Sequence, residues 1–233
     1  MNDYLTKHPH FITFLLLFSL FASLTTSLTA QSLEGAMKKQ GLVDIQTVDP
    51  SILVELKYST TDNFVGKDVY GDLTRAYMQP MAAQKLASAS RALQARHPDL
   101  RLLVYDAARP RKAQWNLWNA LPELAEGERQ KYVADPRKGS IHNYGCAVDL
   151  TVATKEGKPL DMGTKYDFFG ELAYPSEEER LLKAGKLTKQ QVENRRILRT
   201  AMRAGGFSSI EFEWWHFNAL SREKAKMMFR IVD

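Results

Sequence analysis

Residues 139–151 read GSIHNYGCAVDLT and place a carboxylate in the middle of an otherwise apolar run. From Ala147 to Val152 the order Ala-Val-Asp-Leu-Thr-Val is that of a buried strand. An unpaired charge in a core is costly, so Asp149 requires a partner. Alternation along the strand puts Ala147, Asp149 and Thr151 on one face and Val148, Leu150 and Val152 on the other. His142 lies seven residues before Asp149, and His142-Asn143-Tyr144-Gly145 supplies a turn between them. The two side chains can therefore meet across the bend.

The chain has five histidines. His8 and His10 fall in an N-terminal leader, and His97, before Pro98 at an expected helix end, reads as a surface residue. His142 and His216 remain, both in apolar or aromatic settings. In EFEWWHF, residues 211–217, Glu213 and His216 are three apart. On a flat strand that offset puts them on opposite faces, so a bulge or bend is expected. One buried histidine is ordinarily a satisfied core residue. Two, each with a carboxylate at close spacing, point to a metal ion. Ligation by His142, Asp149 and His216 leaves a fourth tetrahedral position open, the pattern of catalytic rather than structural zinc. Glu213 is the candidate general base. Arg109 is the candidate for stabilising charge on a scissile carbonyl. The same arginine could instead form a salt bridge with Asp106 or occupy a surface loop.

Around these residues the pattern predicts an α+β fold with a mainly antiparallel sheet and flanking helices. LVDIQTVDPSILVELKYST alternates enough for one or two short strands, followed by a loop at Asn63–Gly66. Pro80 opens a helix that runs to about His97. Residues 100–105 form a buried strand ending at Asp106. A second helix spans 111–120, with Trp115 and Trp118 on one face. Thr188 and Gln191 have capping-box spacing at the start of a helix that ends near Ala204. SSIEFEWWHFN reads as the last strand, and Ser221 as the cap of a short final helix.

The chain is 233 residues long, with 44% hydrophobic and 25% charged residues, long enough to bury a core without disulfides. Its single cysteine, Cys146, allows no intramolecular bridge; a catalytic thiol beside His142 is the alternative to small core filler. Residues 1–30 read as a secretory signal peptide, with Lys7 before an apolar run from Phe11 to Leu24 and cleavage near Ala30. Retention as an uncleaved anchor is the alternative. No cysteine follows the apolar run, so a lipidated N-terminus has no acceptor. Residues 31–233 form the functional domain. The net charge of +5 is concentrated between Arg180 and Arg203, as a solvated helix face or an attraction to an anionic polymer such as cell wall. No nucleic-acid motif accompanies that charge.

SIHNYGCAVD and EWWH resemble the S-x-H-x-x-G-x-A-x-D and E-x-W-H elements of the zinc D,D-peptidases related to the Hedgehog signalling domain. Within that group the chain resembles the VanX-type D-alanyl-D-alanine dipeptidases. The likeness extends through LKYSTTDNFVG, YDAARP and DMGTKYDFF, from about residue 42 to 218. It implies one zinc ion per chain on His142, Asp149 and His216, with Glu213 as base and Arg109 polarising the peptide carbonyl. It also implies a substrate pocket lined by Ser140, Tyr58 and Asp167, the last suited to a free ammonium group. Ala108 stands where relatives commonly carry an aromatic residue. The implied function is hydrolysis of D-alanyl-D-alanine, a small dipeptide, in the turnover of peptidoglycan peptides outside the cytoplasm. A D,D-carboxypeptidase acting on peptidoglycan stem peptides is the alternative, and a zinc-stabilised binding module a third. Neither nucleic acid nor, after leader cleavage, a stable membrane insertion is expected as a partner.

Overall fold

The structure, a computed structural model, describes residues 32–232; the expected leader lies outside the described residues. The strands are β1 (Val43–Asp44), β2 (Leu53–Val54), β3 (Tyr77–Met78), β4 (Leu100–Asp106), β5 (Ala147–Thr154), β6 (Ser208–Ser209) and β7 (His216–Asn218). The helices are α1 (Leu33–Lys39), α2 (Ile45–Val48), α3 (Pro80–Arg96), α4 (Arg111–Asn119), α5 (Glu126–Arg129), α6 (Glu178–Lys183), α7 (Lys189–Ala204) and α8 (Arg222–Met228).

The strand read first from the sequence, β5, is central in a five-stranded sheet of order β2-β4-β5-β7-β6. It runs antiparallel to β4 and β7, and β6 antiparallel to β7. Only β2 departs, pairing parallel with β4 through Leu53↔Leu103 and Val54↔Val104. The fold is thus α+β with a mainly antiparallel sheet. Helices α3 and α7 pack together and cover one sheet face. Leu86 and Leu93 from α3 and Leu198 and Met202 from α7 join Leu102, Val104, Val148, Leu150 and Val152 in one buried cluster. Each such side chain contributes about 1.5–3 kcal/mol of apolar burial. Gly205 marks where the end of α7 meets α3, since a Cβ there would lie 2.6 Å from the Lys85 carbonyl oxygen. Packing on the helical face leaves the opposite face of β5, with Asp149, for the site.

Local chemistry explains the helix limits. Pro80 occupies the first position of α3. Thr188 and Gln191 cap α7 reciprocally: the Thr188 hydroxyl accepts from the Gln191 amide at 3.2 Å, and the Gln191 side chain accepts from the Thr188 amide at 2.9 Å. Ser221 accepts from the Lys224 amide at the start of α8.

On α4, Trp118 is buried with Ala113, Gln114 and Leu117, and Trp115, three residues before it, is 37% exposed at the edge of that face. Two expectations need correction. The segment 208–218 is not one strand but two short ones, β6 and β7, paired through Ser208↔Asn218 and Ser209↔Phe217. The intervening loop carries Glu213. The basic segment 180–203 is not simply a solvated face. Arg195 is fully buried, donating to the Met162 and Leu172 carbonyls and facing Glu178, while Arg180, Lys183 and Arg196 each pair with a glutamate of their own neighbourhood.

Candidate active site

His142 is carried on a 3-10 turn, Ile141–Tyr144, immediately before β5. The Ser140 side chain accepts from the His142 amide at 3.3 Å, and the Asn143 side chain accepts from the Ser140 amide at 2.6 Å, closing the start of the turn. Gly145 ends it at φ +66°, where a Cβ would meet Leu42 Cδ2 at 3.0 Å and the Gln79 amide nitrogen at 3.3 Å. Only glycine combines that left-handed backbone with so close an approach. On the other side, the β5–β7 register sets Asp149 directly opposite His216. The turn and the register therefore bring three side chains together from distant parts of the chain.

His142 Nε2 and His216 Nδ1 are 3.1 Å apart, and Asp149 Oδ1 lies 3.3 Å from the first and 3.0 Å from the second. A tetrahedral zinc site with bonds of about 2.0–2.1 Å has ligand–ligand edges of roughly 3.3–3.4 Å, so the triangle is nearly the right size. The outer nitrogens fix which atoms face inward. His142 Nδ1 lies 2.7 Å from the Ala107 carbonyl oxygen, which can only accept, so that nitrogen carries the proton. His216 Nε2 donates to Asn218 Oδ1 at 2.9 Å. Two imidazole lone pairs and a carboxylate oxygen thus converge on one point. The electrostatics call for positive charge there. Burial pushes the Asp149 carboxyl up, but His142 and His216 beside it hold it well below the usual carboxylate range. Burial lowers the His216 imidazole, but Asp149 and Glu213 leave it raised overall. A proton or a metal cation meets this demand, and the donor set fits zinc.

Asp149 has a further partner that sequence reading missed. Tyr166 donates its hydroxyl to Asp149 Oδ2 at 3.0 Å, fixing the carboxylate from behind.

Glu213 Oε2 stands 3.8 Å from His216 Nδ1, outside the triangle. The bend expected between these residues is the 210–215 loop itself. Its position is set by three long-range bonds: the Trp214 amide to the Ala173 carbonyl, the Leu150 amide to the Trp215 carbonyl, and the Trp214 indole to Thr164. Burial pushes the Glu213 carboxyl above its ordinary value, with Asp149 adding to the rise and His216 opposing it. A carboxylate so placed can take and return a proton beside the centre.

Arg109 is buried and forms the salt bridge with Asp106 that its spacing allowed, while lining the same cleft as the three ligand candidates. Its Nε and one terminal nitrogen donate to Asp106 Oδ2 at 2.9 and 2.5 Å, and the other terminal nitrogen donates to Gln114 at 3.0 Å. The nitrogen on Asp106 is also 3.6 Å from Asp149 Oδ2. Tyr70 donates to the remaining oxygen of Asp106 at 2.6 Å. The Tyr58 ring lies 5.2 Å from the guanidinium carbon, and the Tyr58 hydroxyl donates to Asp167 at 2.9 Å. Asp167 takes φ +58°, a left-handed conformation uncommon outside glycine. Burial, then the charge of Asp149, hold its carboxyl well above the usual range, and the Tyr58 hydrogen bond and Arg109 offset this only in part. A cation beside Asp167 would relieve that cost.

Tyr58, Arg109, Ser140, Asp167 and Glu213 line one cleft of about 350 Å³ together with the three ligand candidates. Cys146 does not line it. Its sulfur contacts the Tyr144 carbonyl in a separate buried cluster, and burial pushes the thiol up to about 12, as befits core filler.

A profile described as D-ala-D-ala dipeptidase matches residues 38–231. The chain is 35% identical over 176 residues to the D-alanyl-D-alanine dipeptidase of Escherichia coli (strain K12), covering 76% of this chain and 83% of that protein. It is 31% identical over 183 residues to the D-alanyl-D-alanine dipeptidase of Enterococcus faecalis (strain ATCC 700802 / V583), covering 71% and 85%. Among solved structures it is similar to the LD-carboxypeptidase LdcB, at 16% identity and a TM-score of 0.39 over 65% of this chain and 63% of that one.

Proposed function

The chain belongs to the D-alanyl-D-alanine dipeptidase family of metallopeptidases, and from that premise we propose that it hydrolyses D-alanyl-D-alanine to two D-alanines with one zinc ion on His142, Asp149 and His216. The observation that carries the reading is the convergence of three ligand atoms 3.0–3.3 Å apart, with Glu213 and Arg109 beside them. A structural metal site would need neither neighbour. Zinc held there would supply Lewis acidity to a water and to the peptide carbonyl. Glu213 takes the proton of the attacking water and passes it to the departing amine. Arg109, kept in place by Asp106 and Gln114, stabilises the charge growing on the carbonyl oxygen. Asp167 and Tyr58 receive the free ammonium group of the dipeptide. That pair favours an unblocked dipeptide over the longer stems a D,D-carboxypeptidase would trim.

We further propose that residues 1–30 are an export leader and residues 31–233 the catalytic domain, acting on wall-derived peptides outside the cytoplasm. The support is the apolar run at Phe11–Leu24. Among the described residues no helix is long and apolar enough to cross a membrane.

The test compares D-alanine release by the zinc-loaded protein from free D-Ala-D-Ala, its N-acetylated form and a stem pentapeptide. Release from the free dipeptide alone is expected. Preference for either larger substrate would replace this reading with the carboxypeptidase. N-terminal sequencing of the mature protein from cell fractions checks the leader, with a new terminus near Gln31 expected.

A further inference from the structure

Arg195, on α7, is fully buried and lies outside the catalytic cleft. A buried guanidinium is costly unless its donors are met. Here they are met mainly by the backbone of one loop. Nε donates to the Met162 carbonyl at 2.7 Å, and one terminal nitrogen donates to the Leu172 carbonyl at 2.7 Å. The other terminal nitrogen faces Glu178 at 3.4 Å, a carboxylate held more closely by Arg199 at 2.6 and 2.7 Å. The two short bonds of Arg195 thus run to the two ends of residues 162–172.

That loop carries Asp167, whose left-handed backbone at φ +58° persists only where the surroundings impose it. The same clamp reaches Glu213 through its neighbour Trp214. The Trp214 amide donates to the Ala173 carbonyl, one residue beyond Leu172, and its indole donates to Thr164, two residues beyond Met162. The Trp214 ring itself lies 5.9 Å from the Arg195 guanidinium carbon. A shift at either end of the loop would therefore be felt at Asp167 and at Glu213 together.

Building on the dipeptidase reading above, we propose that Arg195 is a positioning residue for the reaction: by fixing both ends of the 162–172 loop and backing Trp214, it sets the ammonium acceptor Asp167 and the base Glu213 in one register. A guanidinium suits this task because its donors sit in a rigid planar fork that a lysine ammonium does not reproduce.

The experiment compares the full zinc-loaded protein with Arg195→Lys, Arg195→Gln and Met202→Ala, measuring melting temperature, bound zinc and the kinetics of D-alanine release from D-Ala-D-Ala. Met202 is fully buried on the same helix but packs in the apolar cluster on the helical face of the sheet, so its truncation controls for lost stability alone. Arg195→Lys keeps a cation opposite Glu178 and should retain more of the melting temperature than Arg195→Gln. Both Arg195 variants should hold one zinc per chain, raise KM as Asp167 shifts and lower kcat as Glu213 shifts. The combined loss in kcat/KM should be about 10- to 100-fold, the scale of a small misplacement transmitted from a distance. Met202→Ala should melt earlier yet show wild-type KM and kcat below its transition. Wild-type kinetics in folded, zinc-loaded Arg195→Lys, or an equal kinetic loss in Met202→Ala, would overturn the assignment while leaving the dipeptidase intact. Failure of both Arg195 variants to fold would do the same, by making the residue a support of the fold alone. A wild type that releases no D-alanine from the dipeptide removes the functional reading and this assignment together.

Discussion

Asp106 stands directly across the β4–β5 pair from Asp149, although strict alternation along β4 would turn it to the opposite face. Val104 pairs with Leu150 and Asp106 with Asp149, so β4 carries one extra residue, Tyr105, at this point. The bulge moves Asp106 from the side of Leu102 and Val104 to the side of the cleft. Two buried carboxylates then face each other, and the Arg109 guanidinium between them, 2.5 Å from one and 3.6 Å from the other, makes the arrangement tenable.

Removing Asp106 should be severe. Asp106→Ala leaves a buried guanidinium without its main counter-charge, and breaking such a pair costs about 3–5 kcal/mol. The melting temperature should fall by roughly 10 °C. Asp106→Asn keeps the shape and hydrogen bonds to Tyr70, so it should fold better yet still lower kcat by misplacing Arg109. Calorimetry with steady-state kinetics on both variants checks this; wild-type kcat in Asp106→Asn would refute the coupling.

Tyr166→Phe removes one hydroxyl and keeps the ring contacts with Tyr58, Tyr105 and Trp215. Asp149 loses the donor on its outer oxygen. Zinc affinity should drop by about 10- to 100-fold, as for other supports of metal ligands. Competition with a chromophoric chelator measures it directly, and an affinity equal to that of the wild type would show the hydroxyl to be idle.

Glu213→Ala and His142→Ala should fail in different ways. The first should retain one zinc per chain and lose several orders of magnitude in kcat. The second should lose the metal. Metal analysis beside the rate assay separates them, and normal turnover in Glu213→Ala would end its role as base.

Asp167→Ala should act on binding. With the ammonium acceptor gone, KM for free dipeptide should rise about tenfold or more, and discrimination against the N-acetylated form should shrink. An unchanged KM would remove Asp167 from the substrate site.

The Cys146 thiol, pushed up to about 12 by burial, stays protonated at ordinary pH. The folded protein should not react with a disulfide reagent at pH 8, and the denatured protein should titrate its single thiol. Rapid reaction of the folded form would contradict the burial.

The parts of the site that could be read from the chain are those joined by short spacing. Asp149 was visible because it interrupts an apolar strand, and His142 and Glu213 because each lies within one turn or bend of another candidate. The bulge at Tyr105 carries no glycine or proline to mark it, and it depends on pairing with a strand more than forty residues away. Tyr166 reads as one more apolar residue in a run of aromatics until its hydroxyl is seen on Asp149. EFEWW imitates a strand by composition, yet its path is set by bonds to Ala173, Leu150 and Thr164 that no local pattern encodes. The parallel placement of β2 is likewise a choice made at a distance.

The converging lone pairs of His142 and His216 and the Asp149 oxygen also bear on how long the protein survives. A zinc ion there would give all three donors one common partner, and the ion would act as a ligand of the native state alone. At free zinc one hundredfold above its dissociation constant, such linkage adds about 2.7 kcal/mol to stability. Zinc supply would then govern resistance to heat and proteolysis as well as turnover, and metal-starved cells would hold fewer intact molecules as well as slower ones.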